Sequence, residues 1–93
     1  MIILNVFLTL KPGQGPAFVE ATKNLVAQSR AEEGNHLYSL YQQTDQEDNY
    51  IIVEHWKDAA AIELHNATEH FQHFAANVSQ YLAAPLDMKK YEI

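Results

Sequence analysis

Seven side chains that could move protons, bind a metal ion or stack on an aromatic ligand lie between residues 54 and 73. They are Glu54, His55, Trp56, His65, Glu69, His70 and His73. Histidine has an unperturbed pKa of about 6.5, which suits a general base at neutral pH. This stretch predicts a small aromatic site for proton abstraction or ligand binding. The alternative is that these histidines are surface or structural side chains.

His65 is the candidate base. It falls at the end of a predicted short helix, where the partial negative charge of the terminus favours the imidazolium form. His70 and His73, three residues apart, could instead hold a transition metal together with His65. Because no carboxylate or cysteine spacing of the H-E-x-x-H kind accompanies them, we predict no metal site.

Glu54 and Trp56 share one side of a predicted strand, whereas His55 points to the other side. They can therefore line one wall of a cleft whose other wall is the helical layer that carries His65. A carboxylate beside the apolar run Ile51–Val53 is costly to bury alone, so Glu54 needs a hydrogen-bonding partner or forms a purely structural pair. The expected partners are His65, Asn66, His70 or a tyrosine hydroxyl.

Composition and missing motifs exclude several classes of function. The 93 residues predict one domain, residues 1–93, without space for a separate cofactor domain. A net charge of −6 without clustered cations argues against nucleic acid as a partner. The absence of cysteine excludes thiolate nucleophiles and fits a cytoplasmic protein. No glycine-rich phosphate loop, nucleophile elbow or dinucleotide fingerprint is present, which disfavours phosphoryl and acyl transfer.

The first half of the chain is predicted to form three strands and one long helix. The apolar run Ile2–Leu10 ends at Lys11-Pro12-Gly13 and is predicted as a strand rather than a signal peptide or a membrane span. A helix over 16–31 begins at Pro16 and is capped by Gly34. Strands over 36–44 and 50–57 flank a polar five-residue loop.

The second half is predicted to form two short helices and a last strand over 86–93. Asp58 can cap a helix that runs through His65, and Thr68 can cap another. The apolar stripe of that helix is Phe71, Phe74, Ala75, Val78 and Leu82. The order strand, helix, strand, strand, helices, strand predicts a ferredoxin-like α+β fold, a four-stranded antiparallel sheet with helices on one face.

The strands are apolar on both sides. In the first strand one side is apolar throughout, and Ile3 and Phe7 lie on the other side. In the third strand Ile51 and Val53 lie on the side opposite to Tyr50, Ile52 and Trp56. A sheet with one face in water should instead alternate apolar and polar residues. Since helices cover one face, we predict a homodimer in which a second copy covers the other.

In order along the chain, several short motifs resemble the antibiotic biosynthesis monooxygenase family, and most closely its quinol monooxygenase-like members. They are Lys11-Pro12-Gly13, Glu32-Glu33-Gly34-Asn35, Tyr38 with Leu40 and Gln42, Glu54-x-Trp56, His65 nine residues after the tryptophan, and His70-Phe71. The resemblance covers almost the whole chain. It implies a dimeric α+β barrel that oxidises a quinol or polycyclic phenol with dioxygen, without flavin or metal.

The resemblance also implies roles for individual residues. His65 would be the base, Trp56 a wall of the pocket, and Glu54 the group that orients the histidine or a substrate hydroxyl. Tyr38 and His70 would supply further polar contacts. The remaining candidate substrate contacts are Phe74 and Asn5.

Three alternatives remain open at this point. The family includes a haem-degrading branch that uses a strand-one asparagine, but alignment on Lys11-Pro12-Gly13 puts that role at Val6 rather than Asn5. It also includes an isomerase of a phosphorylated signalling metabolite, whose phosphate would require more cations than Lys57 and its neighbours provide. The third alternative is a non-catalytic dimer that binds a small apolar ligand.

Overall fold

The computed structural model describes residues 1–93 and contains four strands and three α-helices. The strands are β1 (Ile2–Thr9), β2 (Asn35–Gln42), β3 (Asn49–Trp56) and β4 (Asp87–Glu92). The helices are α1 (Gly15–Arg30), α2 (Ala59–Asn66) and α3 (Glu69–Asn77), and a 3₁₀ helix at Val78–Tyr81 follows α3. The predicted order of elements is confirmed, and strand boundaries shift by only one or two residues.

The four strands form one antiparallel sheet in the order β2-β3-β1-β4. β1 and β3 are the central strands, and β2 and β4 are the edges. The helices pack on one face, which we call the inner face, and the opposite face is the outer face. This is the predicted ferredoxin-like α+β fold. No helix is both long enough and apolar enough to cross a membrane.

The core lies between the inner face and the helices. Alternate residues of β1, from Ile2 to Leu8, are buried, as strand periodicity requires. Phe18 and Leu25 of α1 belong to the same buried cluster. Trp56, at the end of β3, is completely inaccessible to solvent.

The outer face carries several large apolar side chains and lacks a helical cover. Phe7 of β1 and Tyr41 of β2 are 43% and 51% exposed, and Ile51 and Val53 of β3 are half-buried. All six residues of β4 are exposed. The two-sided apolar pattern predicted from the strands is therefore present in the folded chain.

Both predicted helix caps are confirmed. The Asp58 carboxylate accepts a hydrogen bond from the backbone N–H of Ala61 at 2.9 Å, which starts α2. The Thr68 hydroxyl accepts one from the backbone N–H of Phe71 at 3.2 Å, which starts α3. These side chains satisfy helix donors that otherwise lack partners.

Two local predictions are wrong. Gly34 does not cap α1, because the cap position is Ala31 in right-handed conformation and Gly34 has no positive φ. Glycine is required there by packing, since a Cβ atom at this position would overlap the Cβ atom of Ala61. Ala75 is exposed rather than buried, whereas Phe74, Val78 and Leu82 of the predicted stripe pack in or against the core.

Candidate functional site

Three inward-facing side chains of the sheet lie next to one another beneath the helices. β2 and β3 pair so that Tyr38 is directly opposite Glu54. Trp56 lies two residues further along β3 and therefore on the same face. All three side chains are buried. Strand periodicity thus places Glu54 and Trp56 on one wall, as the sequence predicts.

Glu54 has a different hydrogen-bonding partner from those expected. The indole N–H of Trp56 donates to Oε1 of Glu54 at 2.9 Å. Burial raises the pKa of Glu54 to about 7, with the Trp56 hydrogen bond opposing the rise and the charge of Glu32 adding to it. The expectation that Glu54 hydrogen-bonds to a histidine or a tyrosine is wrong, because Trp56, two residues further along the same face of β3, donates the hydrogen bond instead.

The candidate base His65 pairs with Glu32, which lies in the turn after α1. Nδ1 of His65 is 2.6 Å from Oε2 of Glu32, and Nε2 of His70 is 2.8 Å from the same oxygen. The His65 side chain is 2% exposed, and those of Glu32 and His70 are 16% and 13% exposed. We call these residues the Glu32–His65–His70 cluster. They are also the residues whose nitrogen and oxygen atoms could together hold a metal ion.

Two hydrogen bonds to the backbone help to position this cluster. The Thr68 hydroxyl donates to the backbone carbonyl of His65 at 2.7 Å, in the turn that separates the two histidines. Nε of Arg30 donates to the backbone carbonyl of Tyr38 at 2.8 Å, which ties the end of α1 to β2. The first bond fixes the histidines relative to each other, and the second fixes the segment that carries Glu32.

The His65 ring is oriented at one nitrogen and free at the other. A carboxylate can only accept hydrogen bonds, so the proton shared with Glu32 lies on Nδ1 when the imidazole is neutral. Nε2 then carries a lone pair and makes no hydrogen bond within the protein. The rings of Trp56 and Phe71 pack against His65, with centroid distances of 4.6 and 5.1 Å. A carboxylate-oriented imidazole with a free nitrogen can act as a general base.

The protonation state of His65 differs from the expectation. Burial lowers its pKa, and the nearby His70 lowers it further, although the hydrogen bond and charge of Glu32 act in the opposite direction. Burial is the largest of these effects and takes the pKa below its ordinary value, which contradicts the expectation that the end of α2 favours the imidazolium form. At neutral pH the ring is in the form that accepts a proton.

Tyr38 completes the buried wall of the site. Its ring meets Trp56 edge-on at a centroid distance of 6.4 Å and lies 5.7 Å from the ring of His65. Burial raises the pKa of Tyr38 above its ordinary value, and the charge of Glu54 adds to this shift. The phenol therefore keeps its proton and remains a potential hydrogen-bond donor.

Two of the predicted substrate contacts lie away from this cluster. Asn5 belongs to the outer face of the sheet, whereas Trp56 and His65 are on the inner side. The inner-face neighbour Val6 is apolar, so no strand-one asparagine of the haem-degrading kind faces Trp56 and His65. Phe74 lines a separate cavity of about 90 Å³ between α1 and α3, which none of the cluster residues borders.

Glu32 is the residue that sequence reasoning did not assign a role. It lies 33 residues before His65 and 38 before His70. No local spacing links residues so far apart in sequence, and only the antiparallel return of the chain brings the α1–β2 turn beside the α2–α3 turn. A motif search confined to residues 54–73 could not find it.

The chain belongs to the antibiotic biosynthesis monooxygenase family. The family model described as "Antibiotic biosynthesis monooxygenase" matches residues 1–77. Residues beyond that match include β4, which pairs with Ile2–Phe7 of β1.

Relatives with similar sequences and folds support a monooxygenase-type function. The chain is 41% identical over 93 residues to the Bacillus subtilis (strain 168) protein named "Putative monooxygenase YcnE", covering 100% of this chain and 98% of the relative. The solved structure "Putative antibiotic biosynthesis monooxygenase from Nitrosomonas europaea" superposes with a TM-score of 0.94 at 26% identity, covering 100% and 98% of the two chains. PA3566 from Pseudomonas aeruginosa gives a TM-score of 0.89 at 32% identity, covering 99% and 92%.

Proposed function

We propose that this protein oxidises a quinol or polycyclic phenol with dioxygen and requires neither flavin nor metal for the reaction. The observation that supports this most strongly is the state of His65. Its Nδ1 is engaged by Glu32 at 2.6 Å, its Nε2 is free, and its pKa is lowered by burial. A neutral, oriented base inside an aromatic site is what proton abstraction from a phenol requires.

In the proposed reaction, Nε2 of His65 removes the proton of a phenolic hydroxyl. The electron-rich anion passes one electron to dioxygen, and the two radicals combine to form a C–O bond at a ring carbon. Cleavage of the O–O bond of this peroxide leaves one oxygen atom on the ring as a quinone carbonyl. The other oxygen leaves as water, which takes up the proton from His65 and the hydrogen of the ring carbon. The substrate is oxidised by four electrons and one molecule of dioxygen is reduced.

The remaining residues of the site orient the His65 ring and bind the substrate. Glu32 keeps the proton of His65 on Nδ1 and so maintains the lone pair at Nε2. Trp56 supplies an aromatic wall, and its indole N–H is held by Glu54 at 2.9 Å. Tyr38 and His70 are the proposed polar contacts to the substrate hydroxyls. The buried surroundings limit the access of water to the anion.

Oxygen uptake with a panel of quinols and polycyclic phenols tests this proposal. The wild-type protein should consume oxygen with at least one member, and His65→Ala should lose turnover by at least about a hundredfold, the usual contribution of a general base. His73→Ala is the matched control, because His73 is an exposed histidine on α3 outside the cluster. Equal turnover in wild-type and His65→Ala protein would remove His65 as the base. A wild-type protein inactive across the panel would favour the non-catalytic ligand-binding alternative.

We further propose that the protein is a homodimer formed through the outer face of the sheet. The support is the set of large apolar side chains left uncovered on that face, of which Phe7 and Tyr41 are 43% and 51% exposed. Large contiguous apolar surfaces are uncommon on monomeric proteins. A second copy of the same face would bury these side chains through a two-fold contact between sheets.

A further inference from the structure

We infer that the Glu32–His65–His70 cluster is a binding site for one divalent transition-metal ion, of which Zn²⁺ is the simplest example. The three residues come from the α1–β2 turn, the end of α2 and the start of α3. One carboxylate oxygen and two imidazole nitrogens lie within 4.8 Å of one another. Two imidazoles and a carboxylate form a donor set that suits zinc and other first-row ions.

The present distances are close to those of a metal site. Nδ1 of His65 and Nε2 of His70 are 2.6 and 2.8 Å from Oε2 of Glu32. Metal–ligand bonds of about 2.0–2.2 Å in a tetrahedral site hold ligand atoms about 3.3 Å apart. To admit the ion, the Glu32 carboxylate must retreat by roughly half an ångström, and the two imidazole nitrogens, which lie within 4.8 Å of each other, must come to about 3.3 Å by rotation of their rings. The glutamate lies in a turn rather than within a helix or strand, which leaves it freedom to make that shift.

The ion also has a route to the site. Glu32 lines a surface groove together with Gly34, Lys57, Ala61, Leu64 and Thr68. A hydrated cation can reach the carboxylate through this groove, while His65 forms the buried end of the site. The net charge of −6 favours the approach of cations to the molecule. The three protein ligands leave a fourth position for water.

Metal binding would change the chemistry of His65. With the metal on Nδ1, the proton of the neutral ring must move to Nε2, so that nitrogen becomes a donor and ceases to be a base. His70 shifts its proton from Nε2 to Nδ1 for the same reason. No net proton is released from the two neutral rings. The binding inference does not depend on the proposed reaction. A metal ion bound to His65 would inhibit that reaction, because His65 could then no longer act as the base.

Calorimetric titration of chelator-treated, dialysed protein with Zn²⁺ tests the site, with Co²⁺ as a second probe whose visible absorption reports its ligands. We expect one ion per chain. Glu32→Gln keeps the size of the side chain, and His70→Ala changes a half-buried helix start, so neither should prevent folding. Each should weaken Zn²⁺ binding by more than about tenfold. Loss of a group that only hydrogen-bonds to a metal ligand already weakens metal affinity by about that factor. His73→Ala should bind as the wild type does.

Three results would overturn the inference. The first is the absence of saturable binding of one ion per chain to the wild-type protein. The second is unchanged affinity in both Glu32→Gln and His70→Ala. The third is an equal loss of affinity in His73→Ala, which would indicate scattered surface histidines. These results are independent of oxygen uptake, so failure of the metal site and failure of the proposed reaction are distinguishable.

Discussion

Two carboxylates of the site differ in what surrounds them. Glu32 lies near the surface and accepts from two histidines at one oxygen. Glu54 is deeply buried, receives a single indole hydrogen bond, and has its pKa raised to about 7 by that burial. Burial therefore allows Glu54 to hold a proton near neutral pH, whereas Glu32 acts through its contacts with the histidine rings.

Replacement of Glu54 by glutamine should change the pH dependence of stability. The pKa of Glu54 is raised from 4.5 to about 7 in the folded chain, so the folded state binds its proton more tightly. Its contribution to the free energy of unfolding is therefore largest below the unfolded pKa and is lost as pH rises toward 7. Relative to wild type, the free energy of unfolding of Glu54→Gln should rise by about 2.5 kcal/mol between pH 5 and pH 8. Denaturant unfolding curves measure this, and a constant difference between the two proteins would contradict it.

At the scale of elements, local signals predict helix starts but not tertiary contacts. Asp58 and Thr68 were predictable as caps because a cap acts within three residues of its own position. The role of Gly34 was not predictable, because it depends on Ala61 of α2, which meets it only in the folded chain. Glu32 escaped prediction for the same reason, since its histidine partners lie on other elements. The strand pattern, in contrast, correctly predicted that Glu54 and Trp56 share a face.

Gly34→Ala should destabilise the protein by about 1–3 kcal/mol, the usual cost of overpacking. Its new Cβ atom would overlap the Cβ atom of Ala61. Ala61→Gly removes that methyl group at a cost of about 1 kcal/mol in helix propensity. In the double variant the overlap is relieved, so the two changes should be less harmful together than the sum of their separate effects. Additive effects in thermal or denaturant unfolding would show that this contact does not explain the glycine.

At the scale of the whole molecule, the fold leaves one sheet face unused by its own helices. The order of elements in the sequence predicts the topology, because strand, helix, strand, strand, helices, strand permits few arrangements of a sheet with helices on one side. The lack of a regular apolar–polar alternation along β1 and β3 predicts two apolar faces, and the helices cover only one of them. A small chain of 93 residues buries a smaller fraction of its surface than a large one, so burial of this face in a dimer adds proportionally more to its stability.

Phe7→Glu should convert the proposed dimer to a monomer. Phe7 is 43% exposed on the outer face, so the change places a charge in the interface without disturbing the core. Leu64→Glu is the matched control, since Leu64 is 71% exposed on α2, on the helical side of the molecule. Sedimentation should show a dimer at micromolar concentration for the wild type and Leu64→Glu. A wild-type monomer, or a Phe7→Glu dimer, would exclude this interface.

The protonation of His65 is the central claim, and nitrogen NMR of protein labelled with ¹⁵N in its histidine rings measures it directly. At pH 7 the ring should be neutral, with a protonated Nδ1 and an unprotonated Nε2, because Glu32 accepts from Nδ1 at 2.6 Å and burial lowers the pKa of the ring. Spectra of His65→Ala protein assign the signals. A proton on Nε2, or an imidazolium ring at pH 7, would contradict the account of His65 as a base.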